Sequence, residues 1–113
     1  MIRRGDVVLV NLERVVGSEQ GKVRPAVVIQ NDIGNEFSPL TIVAPITSKI
    51  FSKEYPTNVL LARADSGLKN DSTILLNQIR TIDKSRVIKR VAVLCSGIMG
   101  RVDNAIKASL GLE

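Results

Sequence analysis

The chain has 113 residues, 44% of them apolar, with a net charge of +5 and an isoelectric point near 9.8. A single cysteine and the lack of histidine exclude an intramolecular disulfide and a Cys/His zinc site, and no apolar run approaches the ~20 residues of a membrane-spanning helix. We expect one folded domain over residues 1–113, without a metal or cofactor, whose positive charge attracts polyanions, although a basic protein with no such partner fits the charge equally well.

Short β-branched, apolar segments predict strands along most of the chain. They cover residues 7–12, 26–30, 40–46, 57–62, 72–76 and 78–82, with further extended stretches at 87–88 and 91–94. Turn-forming residues at 32–35 and 83–86 predict turns. Pro45 has no amide hydrogen, so the third strand should end near it or lie at an edge. No apolar signal segment precedes the first strand, which predicts a cytoplasmic protein.

The pattern changes to a helical period near the C-terminus. Apolar residues recur every four positions at Ile98, Val102, Ile106 and Leu110. Ser96 is a suitable N-cap and Gly111 a suitable stop for this helix. Cys95 follows the apolar run 91–94 and is therefore predicted to be buried. Short strands followed by one amphipathic helix predict a mainly β protein, a small bent barrel with the helix packed on it.

One polar loop delivers an arginine to the start of the second strand. Residues 18–25 read Ser-Glu-Gln-Gly-Lys-Val-Arg-Pro and run directly into an apolar segment. Pro25 has a fixed φ and biases Arg24 toward an extended conformation. The arginine is therefore expected at a strand edge rather than on a freely moving loop.

Several blocks of the chain follow one another as in a known family. They are Gly5-Asp6-Val7, Gly17 to Gly21, Arg24-Pro25, Val28 to Asn31, Ile46-Thr47 and Ile74 to Asp83. In this order they resemble the MazF/PemK family of toxin endoribonucleases, particularly its Gram-positive members. The resemblance runs from Arg4 to the C-terminal helix and implies an SH3-like β-barrel of the MazF/CcdB type that forms a homodimer.

The resemblance also implies a function. Such a protein is the toxin of a type II toxin–antitoxin system and cleaves single-stranded RNA within a short motif, without a metal, to leave 2′,3′-cyclic phosphate and 5′-OH ends. Its partner is a MazE-like antitoxin whose acidic, disordered segment covers the RNA groove. The family's catalytic arginine falls on Arg24 and its catalytic threonine on Thr47. Close relatives commonly carry glutamate where this chain has Asn77, a change that bears on base preference more than on chemistry.

The residue types fit that reaction only in part. Attack by the 2′-OH needs a base, an acid and stabilisation of the phosphorane, and histidine, the usual acid or base, is absent. Arg24 can donate two parallel hydrogen bonds to phosphate, but a guanidinium has only donors and is a poor base. Glu19 is conceivable as the base, and equally as a specificity or solubility residue. Considered alone, Arg24 would cap a strand and Thr47 would bond its own backbone.

Ten polar residues are candidates for RNA contacts: Ser18, Glu19, Gln20, Lys22, Gln30, Asn31, Lys49, Asn77, Gln78 and Arg80. Residues 18–20 predict either a loop that closes on RNA or a solvated hairpin tip. Gln78 and Arg80 alternate with Ile79, so both should point away from the core, to contact a base edge and a phosphate or simply to face solvent.

The three aromatic residues lie in loops that flank the third strand. Phe51 and Tyr55 could stack on unpaired bases, or Phe51 could cover a barrel end. Phe37 is predicted to cover a barrel end. Lys49 and Lys53, in the same loop as Phe51, would attract phosphate.

Two other functions fit the fold. One is a CcdB-like toxin that poisons DNA gyrase. The resemblance implies that this activity needs an exposed tryptophan segment at the end of the C-terminal helix, and this chain has no tryptophan. A non-catalytic RNA-binding module is the second alternative. The substitution Arg24→Ala separates these possibilities, since it should abolish cleavage and leave the fold intact.

Overall fold

The computed structural model describes residues 1–12 and 23–113. Its strands are β1 (Asp6–Asn11), β2 (Val23–Val28), β3 (Leu40–Thr47), β4 (Asn58–Leu61), β5 (Ser72–Leu75), β6 (Arg80–Asp83) and β7 (Val87–Val93). Its helices are α1 (Asp32–Phe37), α2 (Arg63–Ser66) and α3 (Ser96–Leu110), with a 3-10 turn at Lys84–Arg86. No helix in these two ranges is long and apolar enough to cross a membrane.

The strands form one antiparallel sheet in the order β4-β5-β3-β2-β1-β7, with β6 also paired to β3. The pairing of β3 with β2 ends at Pro45, and its pairing with β5 begins at Ile46. Pro45 was predicted to end the strand or lie at an edge. It marks the end of one ladder, because it has no amide hydrogen to donate, while the strand itself continues to Thr47. Within the described ranges β4 and β7 do not pair, so the barrel-like sheet is not closed.

Apolar side chains on both faces of the sheet build the core. Val7 and Val27 face a cluster that includes Ile98 and Val102 of α3. Val8, like its neighbours in β2 and β3, faces a second cluster on the opposite side. Successive strand residues point to opposite faces, so continuous apolar runs are required here. This is why β1 and β2 were recognisable from sequence.

Several local predictions were wrong. Residues 32–35 form the start of α1 rather than a turn, because the Asn31 side chain accepts a hydrogen bond from the amide of Gly34 and caps a helix. The stretches 87–88 and 91–94 belong mostly to one strand, β7. The N-cap of α3 is Cys95 rather than Ser96. Gly111 does end the helix, in the left-handed conformation that glycine favours.

Three burial predictions also fail. Cys95 is exposed, because Leu94 points into the core and its neighbours on either side point out. Leu110 is exposed at the end of α3, whereas Ala105, five residues earlier and outside the four-residue period, is buried. Phe37 is 78% exposed and covers no part of the core. The predictions for Cys95 and Leu110 assumed that an apolar residue follows its neighbours inward, which the two ends of α3 do not allow.

Candidate functional site

Arg24 lies near the start of β2, as the sequence predicted. Its backbone is paired opposite Val10 of β1, whereas its side chain is exposed. The strand becomes fully buried two residues later, at Ala26. A guanidinium placed in this way is held at its base by the sheet and is accessible to a ligand at its tip.

Thr47 is the last residue of β3 and lies opposite Thr73 of β5. Its hydroxyl oxygen accepts a hydrogen bond of 3.2 Å from the amide of Lys49. The Thr73 hydroxyl donates to the carbonyl of Lys49 at 2.9 Å. Both backbone groups of Lys49 are therefore fixed. Because the Thr47 hydroxyl acts as acceptor in its bond, its own proton remains available to donate to an anion.

The register of β2 and β3 sets Arg24 and Thr47 at the same end of the sheet. Ala26 lies opposite Pro45, where the ladder ends, and two residues further along each strand are Arg24 and Thr47. A guanidinium and a hydroxyl on neighbouring strand ends can donate together to one phosphate. We call Arg24, Thr47 and Lys49 the open end.

Asn77, Gln78 and Arg80 lie on the other side of β3. β5 pairs with Ile46 and Thr47, and β6 pairs with residues 40–43, so the connection between them runs beside the middle of β3. Asn77 and Gln78 occupy this connection, and Arg80 begins β6 opposite Val43. All three are exposed, and for Gln78 and Arg80 the alternation with Ile79 predicted this.

Gln30 and Asn31 lie at the far end of β2 from Arg24, about 20 Å away at ~3.3 Å per residue. The Gln30 amide nitrogen donates to the side chain of Asn35 at 3.1 Å and to the carbonyl of Leu40 at 2.9 Å. Asn31 caps α1. Both predicted RNA ligands thus make internal hydrogen bonds, and their contact with RNA stays a prediction.

Asn35 is the centre of this far end and is 1% exposed. Its amide nitrogen donates to the carbonyl of Gln30 at 3.0 Å and to Asp32 at 3.1 Å. Its oxygen accepts from Gln30 and, at 2.7 Å, from the hydroxyl of Thr41. We call Gln30, Asn31, Asp32, Asn35 and Thr41 the asparagine corner.

Two carboxylates are tuned by hydrogen bonds from the backbone. The amide of Arg4 donates to Asp32 at 2.7 Å, and this bond, with help from the Asn35 amide and two nearby arginines, lowers the pKa of Asp32. The pKa of Asp83 is lowered by the amide of Ser85. Over residues 1–12 and 23–113 no group of three or more Cys, Asp or Glu side chains could hold a metal ion.

Four predicted site residues, Ser18, Glu19, Gln20 and Lys22, lie outside the described residues. Conversely, the structure adds residues that the sequence did not single out. Arg101 and Asn104 of α3 line a cleft with the loop that follows Thr47. Exposed polar positions on a helix carry no sequence signal of this kind, since they look like any solvated face.

The chain is similar in sequence to a known protein family and to a characterised relative. Residues 3–110 match the family described as PemK-like, MazF-like toxin of type II toxin–antitoxin systems. The chain is 51% identical over 112 residues to the endoribonuclease EndoA of Bacillus subtilis (strain 168), covering 99% of this chain and 97% of that protein.

Solved structures agree on the fold. A MazE–MazF structure from Deinococcus radiodurans matches with a TM-score of 0.82 at 27% identity, over 99% of this chain and 97% of that one. A mycobacterial endoribonuclease in complex with its cognate antitoxin matches with a TM-score of 0.83, over 100% of this chain and 98% of that one, although it is only 18% identical and so informs on the fold alone. From the family match and the identity together, the chain belongs to the PemK-like, MazF-like toxins of type II toxin–antitoxin systems.

Proposed function

We propose that this protein is a toxin that cleaves single-stranded RNA in a sequence-specific, metal-independent way, with Arg24 and Thr47 at the cleavage site. The observation that carries the proposal is the register that sets these two residues at the same end of neighbouring strands. The 51% identity to a protein named an endoribonuclease supports it, and the net charge of +5 favours a polyanionic substrate.

The reaction transfers the phosphorus from one oxygen of the RNA to another. The 2′-oxygen loses its proton and bonds to phosphorus, the bond to the 5′-oxygen breaks, and that oxygen takes up a proton. The products are a 2′,3′-cyclic phosphate and a 5′-OH. Arg24 stabilises the negative phosphorane through two parallel N–H donors, and Thr47 adds one hydroxyl donor.

A site of this kind works by positioning and electrostatics. The chain contains no histidine, and a guanidinium offers hydrogen-bond donors and no acceptor. Fixed donors aimed at the developing charge supply about 10²–10³ in rate for each donor. The hydrogen bonds at Lys49 hold Thr47 in place for this purpose. Less conformational entropy is therefore lost when the substrate binds, because this part of the site is already ordered in the folded protein.

The partners follow from the same proposal. We expect single-stranded messenger RNA in the cytoplasm as substrate, a homodimer as the working form, and an antitoxin with an acidic segment as the inhibitor. Lys49, Asn77, Gln78 and Arg80 flank β3 and would line the RNA path, and we expect Ser18, Glu19, Gln20 and Lys22 to contact the RNA as well. An acidic peptide would compete for the same cations.

The test is cleavage of a long single-stranded RNA by the purified protein in EDTA, with the cut sites mapped by primer extension. We expect discrete cuts that share a short motif, no cuts in an all-deoxy substrate, and no cuts by Arg24→Ala in the time that the wild type needs to complete cleavage. Loss of cleavage in EDTA, or equal cleavage by the variant, would contradict the proposal. RNA binding without cleavage by either protein would favour the non-catalytic module instead.

A further inference from the structure

A cleft of about 730 Å³ opens beside the open end, between residues 50–56, the edge strand β4 and the helix α3. Its volume is within the range of small-molecule sites. The lining combines two aromatic rings with cations and side-chain amides: Phe51, Lys53, Tyr55, Asn58, Arg101 and Asn104. Glu54 is the one carboxylate among its lining residues, so the lining carries one net positive charge.

The rings of Phe51 and Tyr55 contact each other and leave the Tyr55 ring accessible to a ligand. Phe51 and Tyr55 meet edge to face, with ring centroids 5.9 Å apart and planes at 86°. The Lys49 ammonium lies over the Phe51 ring, 4.8 Å from its centroid. These contacts hold Phe51 from two sides. Tyr55 is 47% exposed, so its ring keeps surface for another planar group.

A continuous set of contacts joins the cleft to the candidate cleavage site. The amide of Lys49 donates to the Thr47 hydroxyl, the Lys49 side chain covers Phe51, and Phe51 contacts Tyr55. Thr73 lies opposite Thr47 and also lines the cleft. A chain of RNA held at Thr47 could therefore place a neighbouring nucleotide in the cleft.

We propose that this cleft binds one unpaired nucleotide that flanks the cleaved bond, with its base stacked on Tyr55. The inference rests on the proposed function and adds a specificity subsite to it. Any base offers a face to an aromatic ring, the amides of Asn58 and Asn104 can both donate to and accept from a base edge, and Lys53 and Arg101 supply charge for the phosphates. Two of the three aromatic residues in the chain lie here.

The chain offers a direct spectroscopic probe of this subsite. Tyr55 is the sole tyrosine and there is no tryptophan, so tyrosine fluorescence reports on this position alone. The probe is a single-stranded 2′-O-methyl RNA decamer that carries the mapped cut motif and cannot be cleaved. We expect saturable quenching as the decamer binds, and none with the same decamer in a perfect duplex. Free tyrosinamide titrated in parallel corrects for absorption by the RNA.

Variants then separate stacking from other effects. Binding by the variants is measured from the anisotropy of an end-labelled decamer, because the Tyr55 variants lack the tyrosine. Tyr55→Ala should weaken decamer binding by about 5- to 150-fold, the loss of one base–aromatic stack, and Tyr55→Phe should restore nearly all of it. Phe37→Ala is the control, because Phe37 is an exposed aromatic residue outside the cleft, and should bind as the wild type does.

A single abasic ribose, moved along the decamer, identifies the stacked nucleotide. At one position next to the cut it should weaken binding to the wild type and have no further effect on Tyr55→Ala, because the two changes remove the same contact.

The outcomes distinguish this inference from the proposed function. If the wild type cleaves RNA and Arg24→Ala does not, but Tyr55→Ala binds the decamer normally, the subsite is wrong and the function stands. If tyrosine fluorescence changes with protein concentration and not with RNA, a second copy of the chain covers the cleft and the inference is overturned. If only an acidic peptide quenches it, the cleft is a peptide site and the inference is again overturned. If the wild type does not cleave RNA, the proposed function itself has failed.

Discussion

The asparagine corner and the open end lie at opposite ends of β2 and use polar residues in opposite ways. In the asparagine corner the Asn35 side chain makes four hydrogen bonds, its full capacity, and is almost completely buried. At the open end Arg24 is exposed and the Thr47 hydroxyl keeps its proton to donate. Polar groups satisfied inside the protein build the fold, whereas those left facing solvent are available for a substrate.

The largest effect should come from the open end. We expect Arg24→Ala to lower the rate of RNA cleavage by about 10²–10³, because it removes a donor aimed at the phosphorane. Arg24→Lys should restore only part of the rate, since an ammonium keeps the charge and loses the two parallel hydrogen bonds. Single-turnover cleavage of a substrate with one mapped site measures both.

The free energy of unfolding should be unchanged in both variants, because the Arg24 side chain is exposed. Arg63→Ala, an exposed arginine on α2, is the matched control and should cleave normally. If Arg63→Ala lost as much activity as Arg24→Ala, general positive charge rather than a placed guanidinium would explain the effect, and the distinction between the two ends of β2 would lose its basis.

The asparagine corner should respond in stability instead. Asn35→Ala removes four hydrogen bonds and leaves the buried hydroxyl of Thr41 without its acceptor. We expect a loss of about 2–3 kcal/mol in the free energy of unfolding, measured by urea denaturation. Asn77→Ala, a matched change at an exposed amide, should cost less than about 0.5 kcal/mol. Under conditions where both variants are folded, Asn35→Ala should cleave RNA at the wild-type rate.

How much the sequence could reveal differs between these regions for a physical reason. The buried strands and the helix face at Ile98 and Val102 were predicted because burial imposes a period on the sequence. The placement of Arg24 at a strand edge followed from Pro25. The asparagine corner was misread as a turn, since the Asn, Asp and Gly residues that favour turns also cap helices, and the hydrogen bond from Thr41 to the buried Asn35 becomes evident only in the folded structure.

The cleft beside the open end was the least predictable feature. Phe51 and Tyr55 were recognisable as possible stacking residues because aromatic residues are rare in this chain. Arg101 and Asn104 come from α3, far away in sequence, and contribute only through tertiary packing. A single sequence holds no period or spacing that joins a loop to one face of a distant helix.

The free energy of unfolding at acidic pH should also depend on the asparagine corner. The pKa of Asp32 is lowered in the folded protein, chiefly by the amide of Arg4, so the unfolded chain takes up a proton at a higher pH than the folded one. The stabilisation is present above about pH 4 and is lost as the pH falls through the folded pKa. Asp83, whose pKa is lowered by the amide of Ser85, acts in the same direction.

Asp32→Asn tests this contribution because its side-chain oxygen can still accept from Arg4 but cannot titrate. We expect the urea midpoint of this variant to fall less steeply than that of the wild type between pH 5 and pH 3, with only a small difference at pH 7. Identical slopes for the two proteins would mean that Asp32 does not contribute to acid unfolding.

The smallest effect is a change in the salt dependence of RNA binding, and it tests whether the side chain of Lys49, at the open end, contacts a phosphate. Each phosphate neutralised on single-stranded RNA contributes about −0.7 to the slope of log K against log salt. Lys49→Gln should reduce the slope by about that amount if its ammonium, which lies over Phe51, also contacts a phosphate. Lys69→Gln, an exposed lysine in the connection after α2, should leave the slope unchanged. Equal slopes for all three proteins would limit the phosphate contacts to other cations and would leave Lys49 to act through its backbone, which donates to Thr47.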